Sequence, residues 1–167
     1  MFGLFRRSPL NTALAIIGLV GSCGAYTTQT RLPSHLRTVY IQTFENQTGE
    51  YLLPQQIAEG LVSRFQEEGD LRVTTSSGAD AVLEGTIVGY KEEPLSYVEE
   101  GNVLQRKVRL IVDVRFLDQV RGEVLWKAEQ MERWAVYDSR SEEEEDGIRR
   151  AVDKLAEDII HQALKGW

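Results

Sequence analysis

The sequence predicts an α+β fold: two amphipathic helices packed on one face of a mainly antiparallel, mixed β-sheet, in the order β-α-β-β-β-β-α. Three observations carry it. Between Val103 and Leu117, the residues Val108, Leu110, Val112, Val114 and Phe116 alternate with Arg109, Ile111, Asp113, Arg115 and Leu117, which is the period of a strand with one face in a core. Two other stretches instead space their apolar residues at a helical period: Ile57, Leu61, Val62 and Phe65, and Ile148, Val152, Leu155, Ile159 and Leu164. Short turns rich in Asp and Gly, such as Asp118 to Gly122, join the strand-like runs and favour antiparallel neighbours. Two helices covering one face of such a sheet leave its other face to solvent.

The elements follow in chain order. Thr38 to Phe44 reads as the first strand, with Val39, Ile41 and Thr43 opposite Tyr40, Gln42 and Phe44. Asn46 to Glu50 carries turn chemistry. Leu53 to Glu68 is a helix, with Pro54 suited to its first turn and Gly69 to its stop. Leu71 to Thr74 is a short strand and Ser76-Ser77-Gly78 a loop. Ala79 to Lys91 is a longer strand, with Val82, Thr86, Val88 and Tyr90 sharing a face with Glu84. Gly85 and Gly89, on its other face, leave room for close packing or mark a bulge. Pro94 to Gly101 reads as a hairpin loop.

Glu123 to Tyr137 is the antiparallel partner of the 103–117 strand. Val124, Trp126, Ala128, Trp134 and Val136 share a sequence phase that Gln130 and Glu132 interrupt, so a bend or bulge is expected there. Ser141-x-x-Glu144 has the form of a capping box for the last helix, and the acidic run Glu142 to Asp146 suits the positive end of its dipole.

Ahead of the domain, Arg6 and Arg7 precede an apolar segment from Leu10 to Val20, the layout of a secretory signal. The segment is short of the roughly 20 residues that a membrane-spanning helix needs. Val20-Gly21-Ser22-Cys23 resembles a bacterial lipobox, in which cleavage precedes the cysteine and its thiol carries a diacylglycerol. Residues 1–22 are then the lipoprotein signal peptide, 23–37 the lipidated Cys23 and a tether, and 38–167 a single domain. The alternative is an ordinary signal peptide with an incidental cysteine. Acylation explains a lone cysteine in an exported chain. Each buried methylene is worth about 0.8 kcal/mol, and two or more chains anchor stably. Such lipoproteins are triacylated, palmitate included. Gly24 stands where Asp would mark retention at the inner membrane, which favours the outer one.

Composition excludes several classes. Losing residues 1–22 removes Arg6 and Arg7 but no acid, so the formal charge moves from −7 to −9. An acidic domain has no basic footprint for nucleic acid. His35 and His161 are far apart in sequence, so no metal-ligand spacing and no nucleophile–histidine motif is present. The chain is therefore expected to be non-enzymatic, with no cofactor and no metal. His35 and His161 are expected at the surface, Trp126 and Trp134 in the core or at its rim, with a ligand platform as their alternative, and Trp167 exposed or fraying.

The chain resembles the LptE-like family of lipopolysaccharide-assembly lipoproteins. The resemblance is carried by Cys23-Gly24 with Leu32-Pro33, Val39-Tyr40-Ile41-x-x-Phe44-x-Asn46-x-Thr48, and Ala79-Asp80-Ala81-Val82-Leu83-Glu84-Gly85. It continues through Tyr90…Pro94-Leu95-Ser96-Tyr97 and Val112-x-Val114-x-Phe116-x-Asp118…Gly122-x-Val124-Leu125-Trp126 to the C-terminal helix. It implies an outer-membrane lipoprotein, lipid-anchored at the periplasmic face. The implied partners are lipopolysaccharide and an LptD-like export β-barrel, which the protein plugs and helps assemble. An adaptor or auxiliary lipoprotein of another envelope transport complex is the alternative.

Lipopolysaccharide carries phosphates. Lys107, Arg109 and Arg115 lie on the strand face away from the apolar stripe, with Arg106, Lys127 and Arg133 nearby. Together they could hold phosphate by charge-assisted hydrogen bonds. The competing reading is a solvated sheet face whose cations pair with Asp113, Glu123 and Glu129.

Overall fold

The computed structural model describes residues 32–97 and 103–165. Cys23, the signal segment, most of the proposed tether and Trp167 lie outside them. The elements are β1 (Thr38–Ile41), β2 (Glu45–Asn46), α1 (Leu53–Glu68), β3 (Arg72–Thr74), β4 (Ala81–Tyr97), β5 (Val103–Asp118), β6 (Glu123–Asp138) and α2 (Glu144–Lys165). They form an open six-stranded mixed sheet in the order β3-β1-β4-β5-β6, with β2 also on β4. β1 is parallel to β3 and β4, and the long β4-β5-β6 meander is antiparallel. This is the expected α+β architecture, with the first strand divided into β1 and β2.

The division has a packing reason. The chain leaves the sheet after Ile41, and Phe44 turns into the core. Its ring sits on Gly85 of β4, where an added Cβ would lie 2.5 Å from Phe44 Cε2 and 2.6 Å from the Asp113 carbonyl. Only glycine leaves that space.

The core lies between the sheet and the helices. Val108, Leu110, Val112, Val114 and Phe116 of β5 are fully buried. Leu53, Ile57, Leu61 and Phe65 form the inner face of α1, one turn apart. Ile148, Val152, Leu155, Ile159 and Leu164 do the same for α2. Gly69 ends α1 at φ 73°, and its N–H donates to the Phe65 carbonyl. Leu36 is buried and Leu32 packs against the core, so the chain is seated on the domain before β1 begins.

Three local readings change. β4 continues to Tyr97, through the expected loop at Pro94. Among the described residues only β5 flanks β4 beyond β2, so proline's missing N–H falls where the strand has a free edge. A bulge between Ile87 and Gly89 reverses the side-chain phase, so Tyr90 leaves the face of Val82 and Thr86 and joins the helix side. The last helix starts at Glu144, not at a Ser141 box. Asp146 reaches back to accept from the Glu143 N–H at 3.0 Å, so the back-reaching half of such a box forms two residues later.

The bulge expected in β6 is present. Gln130 adopts φ 54°, an uncommon conformation for a side-chain-bearing residue, and its N–H donates to Asp113 Oδ1 at 2.8 Å. Pairing runs Val114 with Ala128 on one side of the bulge and Val112 with Met131 on the other. Trp126 therefore faces the helices, while Trp134 faces away.

Candidate functional site

The open face of the sheet is built by the residues that β5 does not bury. Alternation sends Lys107, Arg109 and Arg115 there, but not to one place. Lys107 and Arg115 are eight residues apart in one strand, about 26 Å at the usual rise.

Near the distal end, Glu93 of β4 is the shared partner. Its carboxylate lies 2.9 Å from Lys91 Nζ, 3.0 Å from Lys107 Nζ and 2.8 Å from Arg109 Nη2. Hydrogen bonds from Lys91, Lys107 and Arg109 hold its carboxyl down at about 2. Arg109 Nε also faces Glu132 at 3.6 Å, and that buried nitrogen makes no hydrogen bond. Directly across the β5–β6 ladder from Arg109 stands Trp134. Its ring is 49% exposed, with Lys107 Nζ 5.8 Å and Lys154 Nζ 5.1 Å from its centroid. Lys154 arrives from α2, wrapping the sheet edge to donate to the Trp134 carbonyl at 3.1 Å.

Arg115 belongs to a second region, paired with Glu84 at 2.5 Å. It borders an open concavity of about 850 Å³ lined by Glu84, Thr86, Asp113, Leu125 and Lys127 among others. Of the expected carboxylate partners, Glu129 lies 3.3 Å from Lys127, whereas Asp113 is committed to the bulge.

Sequence reasoning missed Trp134, Lys154 and Lys91 as neighbours of Lys107 and Arg109. The signal was present in the expected bulge at Gln130, which flips every later residue of β6 to the other face. Lys154 had no such signal, because helix rotation over a sheet edge is a tertiary property.

The helix face holds a different polar cluster. Arg106 donates to Glu92 at 2.5 and 2.7 Å, Tyr137 donates to the same carboxylate, and the Tyr90 hydroxyl donates to Glu144. Arg106 holds Glu92 below its ordinary range. Burial and Glu92 push the Tyr137 phenol up to about 12, and burial with Glu144 pushes Tyr90 upward as well. Both phenols keep their protons at neutral pH. The cluster ties β4, β5, β6 and α2 together.

His35 is not a bare surface residue. Its Nε2 lies 2.6 Å from the fully buried Asp118. Asp80 accepts from the Arg37 and Thr38 N–H groups and from the Thr38 hydroxyl. These two aspartates pin the entering chain to the ends of β4 and β5. His161 is exposed on α2, and Trp126 packs against the core. Among the described residues, no group of three or more His, Cys, Asp or Glu is arranged to hold a metal, and no helix is long and apolar enough to cross a membrane.

Comparison with known families decides the relationship. Residues 36–163 match the family LptE, described as lipopolysaccharide-assembly. The chain belongs to this LptE family. The match runs from the buried Leu36 through the last buried turns of α2. Membership carries a coarse assignment: an envelope lipoprotein of lipopolysaccharide assembly.

Solved structures share the fold. Protein XCC0632 from Xanthomonas campestris aligns with a TM-score of 0.55 at 12% identity, over 80% of this chain and 88% of that one. Lipoprotein B from Nitrosomonas europaea gives 0.54 at 18%, over 77% and 83%. A dodecamer of a PelC variant from Paraburkholderia phytofirmans gives 0.54 at 17%, over 77% and 89%. At such identities the likeness is one of fold. None of the curated proteins compared with the chain matches it.

Proposed function

We propose that this LptE-family chain is a non-catalytic outer-membrane lipoprotein that plugs and helps assemble an LptD-like β-barrel inserting lipopolysaccharide into the outer leaflet. Residues 1–22 are removed, Cys23 carries the lipid, residues 23–37 tether it, and 38–167 form the working domain at the periplasmic face. The family match over 36–163 carries the reading, since it spans nearly the whole domain.

Lipid anchoring would place the acidic domain where its partner resides, with two or more acyl chains giving stable attachment. Lys107 and Arg109 offer one phosphate contact on the open sheet face, and Arg115 a separate one. Arg guanidinium and Lys ammonium groups bind phosphate oxygens through hydrogen bonds stronger than neutral ones. The acidic partners Glu93 and Glu84 would have to share them. A ligand phosphate therefore competes with internal ion pairs, which are individually weak on an exposed face.

The test is a membrane pull-down of the acylated full chain, with mass identification of what accompanies it, alongside Cys23→Ala. A lipopolysaccharide-export barrel recovered with the parent, and lost or reduced with Cys23→Ala, is the expected result. Recovery of an inner-membrane transporter instead would move the chain to the auxiliary class. Charge reversal at Lys107, Arg109 and Arg115 should weaken lipopolysaccharide binding; unchanged binding would remove these residues from the reading.

A further inference from the structure

We propose that Trp134, flanked by Lys107 and Lys154, is a platform for a sugar that carries a phosphate. The inference rests on the lipopolysaccharide reading above and narrows it: this site takes the phosphorylated sugar head of such a ligand, not its acyl chains.

Five observations converge on the site. The Gln130 bulge turns a large aromatic ring onto the open face and leaves it half-exposed, although burying it would be worth about 2 kcal/mol or more. Two ammonium groups from different elements, β5 and α2, approach that one ring. Lys91, Lys107 and Arg109 gather around Glu93, Arg109 also faces Glu132, and Lys154 reaches the same indole, a cationic excess on a chain of net charge −7. Lys154 pairs with no carboxylate among the described residues and spends one donor on a backbone carbonyl. Arg109 Nε, beside them, is buried without a hydrogen bond.

The chemistry of these groups selects the ligand. An indole face carries partial negative charge and attracts the positively polarised C–H face of a sugar ring. The same face holds ammonium groups near it by cation–π attraction, where they are positioned to receive an anion. A phosphate received by Lys107 or Lys154 at the ring would gain charge-assisted hydrogen bonds, with its sugar resting on the part of the indole left exposed. A free phosphate would leave the indole unused, and a neutral sugar would leave the lysines unused. An acyl chain would need an apolar channel, and this ring is rimmed by charge.

The experiment uses the full chain and follows the Trp134 indole N–H resonance, assigned by its loss in Trp134→Phe. N-acetylglucosamine 1-phosphate, N-acetylglucosamine, inorganic phosphate and lipopolysaccharide are titrated separately. The phosphorylated sugar should move the Trp134 resonance and bind about tenfold more tightly than either fragment, about 1.4 kcal/mol. Affinities are read in parallel by titration calorimetry, in which Trp134→Phe and Lys154→Gln should each weaken binding by about threefold or more, with the urea unfolding midpoint unchanged. Both positions are at the surface, so either variant serves if the other misfolds.

Inorganic phosphate binding as tightly as the phosphorylated sugar overturns the proposal, as does parental affinity in both variants. If lipopolysaccharide binds parent and both variants alike, the platform fails while the lipopolysaccharide reading stands. If the soluble phosphorylated sugar binds at Trp134 and lipopolysaccharide does not, the platform stands and that reading fails.

Discussion

Replacing Gly85 by Ala should cost about 3 kcal/mol, the upper part of the range for overpacking a tight site. The new Cβ would meet Phe44 Cε2 at 2.5 Å, Phe44 Cζ at 2.7 Å and the Asp113 carbonyl oxygen at 2.6 Å. No real Cβ tolerates such distances, so something must move. The ring is a side chain 2% exposed and can withdraw at the expense of its burial, whereas Asp113 O belongs to the β4–β5 ladder and is fixed by it. Phe44→Leu removes part of the ring and should by itself cost about 1 kcal/mol. Combined with Gly85→Ala, it relieves the ring clash but not the carbonyl clash. The double variant should therefore cost about 3 kcal/mol, with a coupling of about 1 kcal/mol between the sites. Urea unfolding followed by circular dichroism measures all four proteins of the cycle. Gly85→Ala within about 0.5 kcal/mol of the parent would refute the close approach. Simple additivity, near 4 kcal/mol, would show that Phe44 does not sit over Gly85.

Two further outcomes follow from the polar contacts. Burial raises the Asp118 carboxyl, but the Arg121 N–H and His35 outweigh it and leave it below its ordinary value; its contribution is thus present above the unfolded pKa, near 3.9, and lost as pH falls through the folded value. His35→Gln should lower the urea midpoint at pH 7, with parent and variant converging as pH falls below the ordinary aspartate range, and curves that stay parallel into acid would remove the pairing from the stability of the fold. At the start of α2, Asp146→Ala should cost about 1 kcal/mol by losing the bond to the Glu143 N–H, while Ser141→Ala should cost less than about 0.5 kcal/mol; the reverse order in thermal melts would restore the capping box to Ser141.

Much of this molecule is legible without coordinates because its period-2 and helical patterns are unbroken over long runs. The core side of β5 is apolar at every second residue from Val108 to Phe116, so that face could be named residue by residue. The helical stripes of α1 and α2 are equally plain. The family resemblance, quoted from short motifs, agrees with the match over 36–163.

The candidate site was legible only in part. Lys107, Arg109 and Arg115 do occupy the solvent side of β5, as alternation requires. Their grouping into one patch did not follow, because a strand spreads residues along its length while a helix gathers them on one side. Trp134 escaped because the extra residue at the Gln130 bulge reverses the phase of everything after it. Pattern reading marks that a bulge exists, but its side-chain consequence depends on which two residues oppose one. Lys154 escaped because α2 was oriented by its buried stripe, and only docking shows which polar residue reaches the edge of β6.

The sequence by itself determined which residues must be buried, since apolar periodicity and secondary structure share the same geometry. The tertiary structure alone decided what the polar residues do. Their partners are set by strand register, bulges and helix docking: His35 with Asp118, Tyr137 with Glu92, three cations on Glu93, and two lysines at Trp134. Burial is a property that each residue carries into folding, whereas pairing exists only after distant segments have been brought together.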